Sequence, residues 1–121
     1  MENKEIQMLQ AIAQTIYDKK GFNIVAIDVQ EKSSLTDYFI IAEGSVERHV
    51  SALANSVKDK VKEMGGHIFH MDGDQSGDWV VLDCGQILVH LFVPSLREHY
   101  SLEELWHEGD IVDLNIQIKE A

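Results

Sequence analysis

The chain has 121 residues, 45% of them hydrophobic and 26% charged, the size and composition of one ordinary globular domain with a hydrophobic core. Twenty-one acidic residues against ten basic ones give a formal charge of −11, which opposes non-specific binding to phosphate backbones, so little or no such binding to nucleic acid is expected, and suits a basic protein partner. No run approaches the ~18 apolar residues of a membrane span, the first residues read as neither a secretory signal nor a transit peptide, and a single cysteine, Cys84, leaves no internal disulfide to form, so a cytoplasmic location is expected.

Ile6, Leu9, Ile12, Ala13, Ile16 and Tyr17 recur at helical spacing and predict an amphipathic first helix, ended by Lys19-Lys20-Gly21. "NIVAIDVQ" (23–30) and "DYFIIAEG" (37–44) read as strands on either side of the polar "EKSSLT". Ser45 is expected to cap a long helix with the apolar stripe Val46, Val50, Leu53, Ala54, Val57, Val61 and Met64, and Gly65-Gly66 to end it. Lysines from Lys58 onward are interrupted by Asp59 and Glu63 and read as a solvated helix face. "HIFHM" (67–71) reads as a short third strand, and "DGDQSG" as an acidic loop.

"GDWVVLDCGQILVHLF" (77–92) then reads as a hairpin. With Cys84-Gly85 as its loop, Asp83 pairs with Gln86, Val81 with Leu88 and Trp79 with His90. Alternation places Val80, Leu82, Ile87, Val89 and Leu91 on a core face. The other face mixes Trp79, Val81, Asp83, Gln86, Leu88, His90 and Phe92. Either a helix covers this second face and Trp79 is ordinary core, or its Trp79 end is open as a partner site; a one-residue slip would exchange the faces.

Pro94-Ser95 opens a helical segment in which Ser95 with Glu98, and Ser101 with Glu104, fit capping boxes. "DIVDLNIQIKEA" alternates apolar and polar residues and fits an edge strand. The order α-β-β-α-β-β-β-α, with that strand as an optional last element, predicts a single-domain α/β sandwich: a mixed β-sheet with flanking helices over residues 1–121.

Candidate chemistry is sparse. His67 and His70 lie three apart on a strand and point to opposite faces, and Cys84 has no second cysteine, so no metal-site spacing is present. His49, His99 and His107 read as helix-surface residues. Ser33, Ser34 and Ser76 lack the context of a nucleophile, and no phosphate-binding glycine loop of Walker or dinucleotide type occurs. "EGSVERH" followed by Asp72 and Asp74 has a faint nucleotidyltransferase look, but those carboxylates fall in a loop well beyond Ser45, and Asp28 and Asp37 belong to earlier strands. A protein-binding module therefore outranks an enzyme, and no cofactor is expected.

Three segments carry a family resemblance: "AIDVQEKSSLTDYFIIAEGSVERHV" (26–50), "DWVVLDCGQILVHLF" (78–92) and "REHYSLEELW" (97–106). In these the chain resembles the Iojap family of ribosomal silencing factors. The resemblance implies a non-enzymatic repressor of translation under nutrient limitation. It would bind the large ribosomal subunit at ribosomal protein fourteen and block joining of the small subunit; organellar relatives are linked to large-subunit assembly. It also implies a nucleotidyltransferase-like sheet without catalytic residues. Trp79 matches the family's Asp-Trp pair, so the implied partner site is Trp79 bordered by Val81, Leu88 and His90, with Asp78 and Asp83 facing a basic protein. Arg97 and Tyr100 would extend that site, while Leu105 and Trp106 fit packing of the last helix. Ser33, Ser34, Thr36 and Asp37 match a further motif and read as loop structure. The tail from 108 matches nothing in the pattern and leaves homodimerisation open. The competing readings are a nucleotidyltransferase-like enzyme and a dimeric interaction module without a ribosomal role.

Overall fold

The first apolar stripe folds into helix α1, Lys4–Asp18, which buries Leu9, Ile12, Ala13 and Ile16. The structure, a computed structural model, describes residues 4–30, 36–73, 76–95 and 110–112. Lys20 N–H bonds to the Tyr17 carbonyl (3.0 Å) and Gly21 N–H to that of Ile16 (2.8 Å), the two bonds of a Schellman ending. Lys20, not the glycine, takes the left-handed position, at φ 74°. Gly21 is used for space instead, because a Cβ there would strike the Ile16 side chain and lie 2.9 Å from its carbonyl oxygen.

Helix α2, Glu47–Glu63, buries Val50, Leu53, Ala54, Val57 and Val61. Its end follows expectation: Gly65 adopts φ 83° and bonds to the Lys62 carbonyl, and Gly66 to that of Val61. Its start does not. Val46 is the extended residue before the helix and makes no side-chain cap bond. Ser45 instead donates its N–H to Nδ1 of His49 at 2.9 Å, and the same ring's Nε2 lies 2.9 Å from the Lys19 carbonyl. Because Nδ1 accepts, Nε2 carries the proton and donates. His49, expected to be a plain surface residue, thus ties the start of α2 to the end of α1.

Six strands complete the fold: β1 Phe22–Asp28, β2 Tyr38–Glu43, β3 His70–Asp72, β4 Trp79–Asp83, β5 Ile87–Phe92 and β6 Asp110–Val112. They form one sheet in the order β3-β4-β5-β2-β1-β6. The β2–β5 pair is parallel and the others antiparallel, so the architecture is α/β with a mixed sheet, as expected. Both helices pack on one face. There α1 and α2 share a core with Ala26, Tyr38, Ile40, Val80, Leu82, Val89 and Leu91. The opposite face has a smaller core of Ile27, Val29, Ile41 and Phe92, with Val25, Phe39 and Trp79 packed against it. Among the described residues no helix longer than the two residues Pro94 and Ser95 is left to cover that face.

Three expectations are corrected. The hairpin register is displaced by two residues: Trp79 faces Phe92, Val81 faces His90 and Asp83 faces Leu88. The loop is Gly85-Gln86, closed by Cys84 N–H to the Ile87 carbonyl, because Gly85 supplies the positive φ (88°) that a type II′ turn requires at its first position. A shift of two preserves the side-chain parity, so both faces keep the residues assigned to them except Gln86, which moves into the loop. The third strand begins at His70 rather than His67; Phe69 already bonds to the Asp83 carbonyl, but its side chain is 64% exposed. Finally, Ser45 is not the cap of α2. The tail does provide an edge strand, over Asp110–Val112 beside β1. Pro94 and Ser95 are helical. The capping boxes beyond them, with Arg97, Tyr100, Leu105 and Trp106, lie outside the described residues, as do Ser33 and Ser34.

A side chain in the left-handed region is strained by about 1 kcal/mol or more. Lys20→Gly is therefore expected to raise stability by about 0.5–1 kcal/mol once the greater freedom of glycine in the unfolded chain is deducted. Urea denaturation would show an increased midpoint at unchanged slope; a lower midpoint would contradict the assignment of Lys20 as the strained position.

Candidate partner-binding face

The face away from the helices is organised in rows, because residues directly opposite on neighbouring strands share a side. One row runs His70, Asp83, Leu88, Phe39, Ile27. The next runs Asp72, Val81, His90, Ile41, Val25, and a third runs Trp79, Phe92, Glu43. Burial grades along these rows. Ile27, Ile41 and Phe92 have no exposed area, whereas Trp79, Val81, Leu88 and His90 are half-buried and Asp72 is exposed. The open end holds a shallow hollow of about 240 Å³ lined by Asp72, Gly73, Trp79 and Val81.

Four aromatic rings fix the floor of this region. Trp79 lies against Phe92 with centroids 5.5 Å apart, and His90 stacks on Phe92 at 6.0 Å and 9°. Phe39 lies tilted against His90 at 5.7 Å. The indole N–H of Trp79 donates to Nδ1 of His90 at 3.3 Å, which orients the tryptophan and places the imidazole's proton on Nε2. Burial lowers the His90 pKa from 6.5 to about 4, so the ring is neutral at physiological pH and can accept this bond.

The nearby carboxylates are held by their own turns. Asp78 Oδ1 accepts from the Trp79 N–H (3.0 Å) and the Ser76 hydroxyl (2.8 Å), Asp83 Oδ1 from the Gly85 N–H, and Asp72 Oδ1 from the Gly73 N–H. These bonds give the acidic groups fixed positions, that of Asp72 at the hollow itself. Among the described residues no three His, Cys, Asp or Glu side chains converge as a metal site would require. Burial, with the Asp83 carboxylate adding to it, pushes the Cys84 thiol up to about 12, which leaves it protonated and a poor nucleophile. Half-buried apolar surface, an oriented indole and fixed carboxylates suit binding to a basic protein surface rather than covalent chemistry.

A profile of the family described as "Ribosomal silencing factor during starvation" matches residues 2–121. The chain is 41% identical over 103 residues to a ribosomal silencing factor of Chromobacterium violaceum, covering 84% of each chain. It is 35% identical over 115 residues to that of Bacillus subtilis, covering 95% of this chain and 96% of the relative. A crystal structure of a Chromobacterium violaceum protein superposes with a TM-score of 0.78 at 38% identity, covering 97% of this chain and 95% of that one. The chain belongs to the ribosomal silencing factor family.

Membership associates it with silencing of translation at the ribosome. For this silencing factor, the structure gathers five of the expected site residues, Trp79, Val81, Asp83, Leu88 and His90, on one face. Asp78 sits at its edge with its carboxylate turned into the loop, while Arg97 and Tyr100 lie outside the described residues. Sequence reasoning did not single out Phe39, and it weighed Asp72 only as a nucleotidyltransferase-type carboxylate, not as part of this face. Alternation within "DYFIIAEG" assigns a face to Phe39, but nothing local indicates that β2 lies beside β5.

The depressed His90 pKa has a measurable consequence. Below pH 6.5 the unfolded chain takes up a proton that the folded chain refuses until about pH 4. Stability therefore falls as pH falls through that window. Between pH 7 and pH 4 the protein is expected to lose up to about 3 kcal/mol more than a His90→Gln variant, measured by urea denaturation. Equal losses would show that His90 does not stay neutral in the fold.

Proposed function

We propose that this silencing factor occupies the large ribosomal subunit at ribosomal protein fourteen, using the Trp79 face, and so prevents the small subunit from joining. The mechanism is steric and non-enzymatic. A small protein seated beside a joining surface keeps the two subunits apart, because bridges near its site cannot form. In the cytoplasm of a nutrient-limited cell, the result is lowered translation.

One observation carries this reading: a half-buried tryptophan, oriented by His90 and resting on Phe92, borders an open hollow that Asp72 also lines, in a chain of this family. Tryptophans with apolar neighbours and one bonded polar end are frequent binding anchors, and truncating one often costs about 2 kcal/mol or more. Val81 and Leu88 supply the apolar surround, and Asp72 and Asp83 match a basic partner. In this reading Asp78 shapes the rim through its bond to the Trp79 N–H, and Arg97 and Tyr100 extend the contact.

The nucleotidyltransferase alternative is weakened at its phosphate site. The Ser45 N–H that would meet a phosphate is already held by His49 Nδ1.

The test is a sucrose-gradient assay in which purified large subunits, with or without the protein, are challenged with small subunits. The protein is expected to comigrate with the large subunit and suppress the joined peak. Trp79→Ala is expected to weaken binding by about 30-fold or more. Since Trp79 also packs on the smaller core, Val81→Arg serves as a companion: it places a cation at the half-buried edge of the hollow and is expected to abolish binding with the circular dichroism unchanged. Wild-type protein remaining at the top of the gradient, with normal joining, would refute the proposal; sedimentation as a dimer without ribosome binding would favour the interaction-module reading.

A further inference from the structure

We propose that the hollow beside Trp79 receives one arginine side chain of the partner, its stem against Val81 and the indole and its guanidinium paired with the Asp72 carboxylate. This inference rests on the reading of the Trp79 face just given and names the group which that face recognises.

The walls of the hollow are Asp72, Gly73, Trp79 and Val81. Cross-strand pairing sets Asp72 directly opposite Val81, and Trp79, two residues earlier on β4, projects from the same side of the sheet. One carboxylate thus stands beside two apolar walls. Gly73 keeps them close: it adopts φ 85°, and a Cβ on it would strike the Trp79 carbonyl oxygen, so glycine alone lets the chain after β3 lie against the Trp79 backbone. The Gly73 carbonyl in turn accepts from the Gly77 N–H at 3.0 Å, which closes the loop. The carboxylate is therefore in place before a partner arrives, and less ordering is required on binding.

Among the described residues, no cation answers that carboxylate. Asp72 Oδ1 accepts from the Gly73 N–H at 3.0 Å, and the second oxygen of this exposed group is left for another donor. The lysines and the arginine among the described residues all lie on α1, on α2 and in the turn after α1, and the six strands carry none. A partner has to bring the charge.

Size and chemistry narrow the occupant. At about 240 Å³ the hollow is smaller than the ~300 Å³ at which small-molecule sites begin, so it suits a single side chain. A leucine or phenylalanine would cover the apolar walls but strip water from Asp72 without replacing its bonds. A lysine answers the charge, yet its ammonium is a compact, strongly hydrated point. Arginine meets both demands, because its weakly hydrated, planar guanidinium packs on aromatic surface and still directs N–H groups at a carboxylate. A second copy of this chain is a poor donor, since its strands offer carboxylates and each copy has a net charge of −11.

Asp72→Asn removes the charge while its amide oxygen still accepts from the Gly73 N–H, so circular dichroism should be unchanged. Asp59→Asn, the same change of charge at an exposed position on α2, is the control. Binding to purified large ribosomal subunits is expected to fall about tenfold or more for Asp72→Asn and to stay within about twofold of wild type for Asp59→Asn. Subunits in which each arginine and each lysine of the contacted ribosomal protein is changed in turn to alanine then identify the occupant. One arginine change should weaken wild-type binding by a similar factor and add little to the loss caused by Asp72→Asn. Undiminished binding by Asp72→Asn, equal losses from the two variants, coupling of Asp72 to a lysine, or coupling to no cation would each overturn the arginine assignment and leave the Trp79 reading intact. Failure of the wild type to bind subunits at all would remove both.

Discussion

The parallel pairing of β2 with β5 is the constraint on which the rest of the molecule depends. Parallel neighbours cannot be joined by a tight turn, so the chain between them must leave the sheet and return. Here it does so through α2, β3 and β4 before Ile87 arrives beside Tyr38. That one pairing joins the α1-β1-β2 half to the hairpin half, and it buries Ile40 and Val89 under the two helices. On the far side it sets Phe39 beside Leu88 and Ile41 beside His90. The aromatic floor under Trp79 is therefore built from both halves of the chain.

Chemistry follows from this arrangement. A sheet with both described helices on one side must close its other side with its own side chains or leave part of it open. Ile27, Ile41 and Phe92 close the middle; towards β4 the closure weakens and the hollow appears. His90 stands at the boundary. Enough burial keeps it neutral, and as a neutral ring it accepts a hydrogen bond from the tryptophan's N–H and holds the indole in place. Charge is likewise divided: lysines and arginine occur on α1 and α2, whereas the six strands carry only carboxylates. The proposed docking of a basic partner on the sheet side rests on this asymmetry.

Much of this was legible in the sequence because local patterns carry it. The stripes of α1 and α2, the alternation of β4 and β5 and the glycine ending of α2 all depend on residues close in the chain. The hairpin faces were legible even though the register was not, since parity survives a shift of two. Choosing Gly85-Gln86 over Cys84-Gly85 required knowing which loop position takes the positive φ. Ser45 looked like a cap because serine usually is one; a histidine one turn later claimed its N–H instead. Phe39 went unremarked, and Asp72 was weighed only as a loop carboxylate, for a different reason. Their place in the site is set by pairings across the sheet, β2 with β5 and β3 with β4, which no local pattern encodes. The Iojap-type motifs pointed to the Trp79 region without depending on any of those pairings.

The most direct test of the central claim is site-specific photocrosslinking to purified large subunits. A crosslinking amino acid at Val81, beside Trp79, is compared with one at Asp59, an exposed position on α2. The account predicts a crosslink to ribosomal protein fourteen from position 81 and none from position 59. A crosslink to that protein from position 59 alone would show that the helix layer, not the Trp79 face, meets the ribosome.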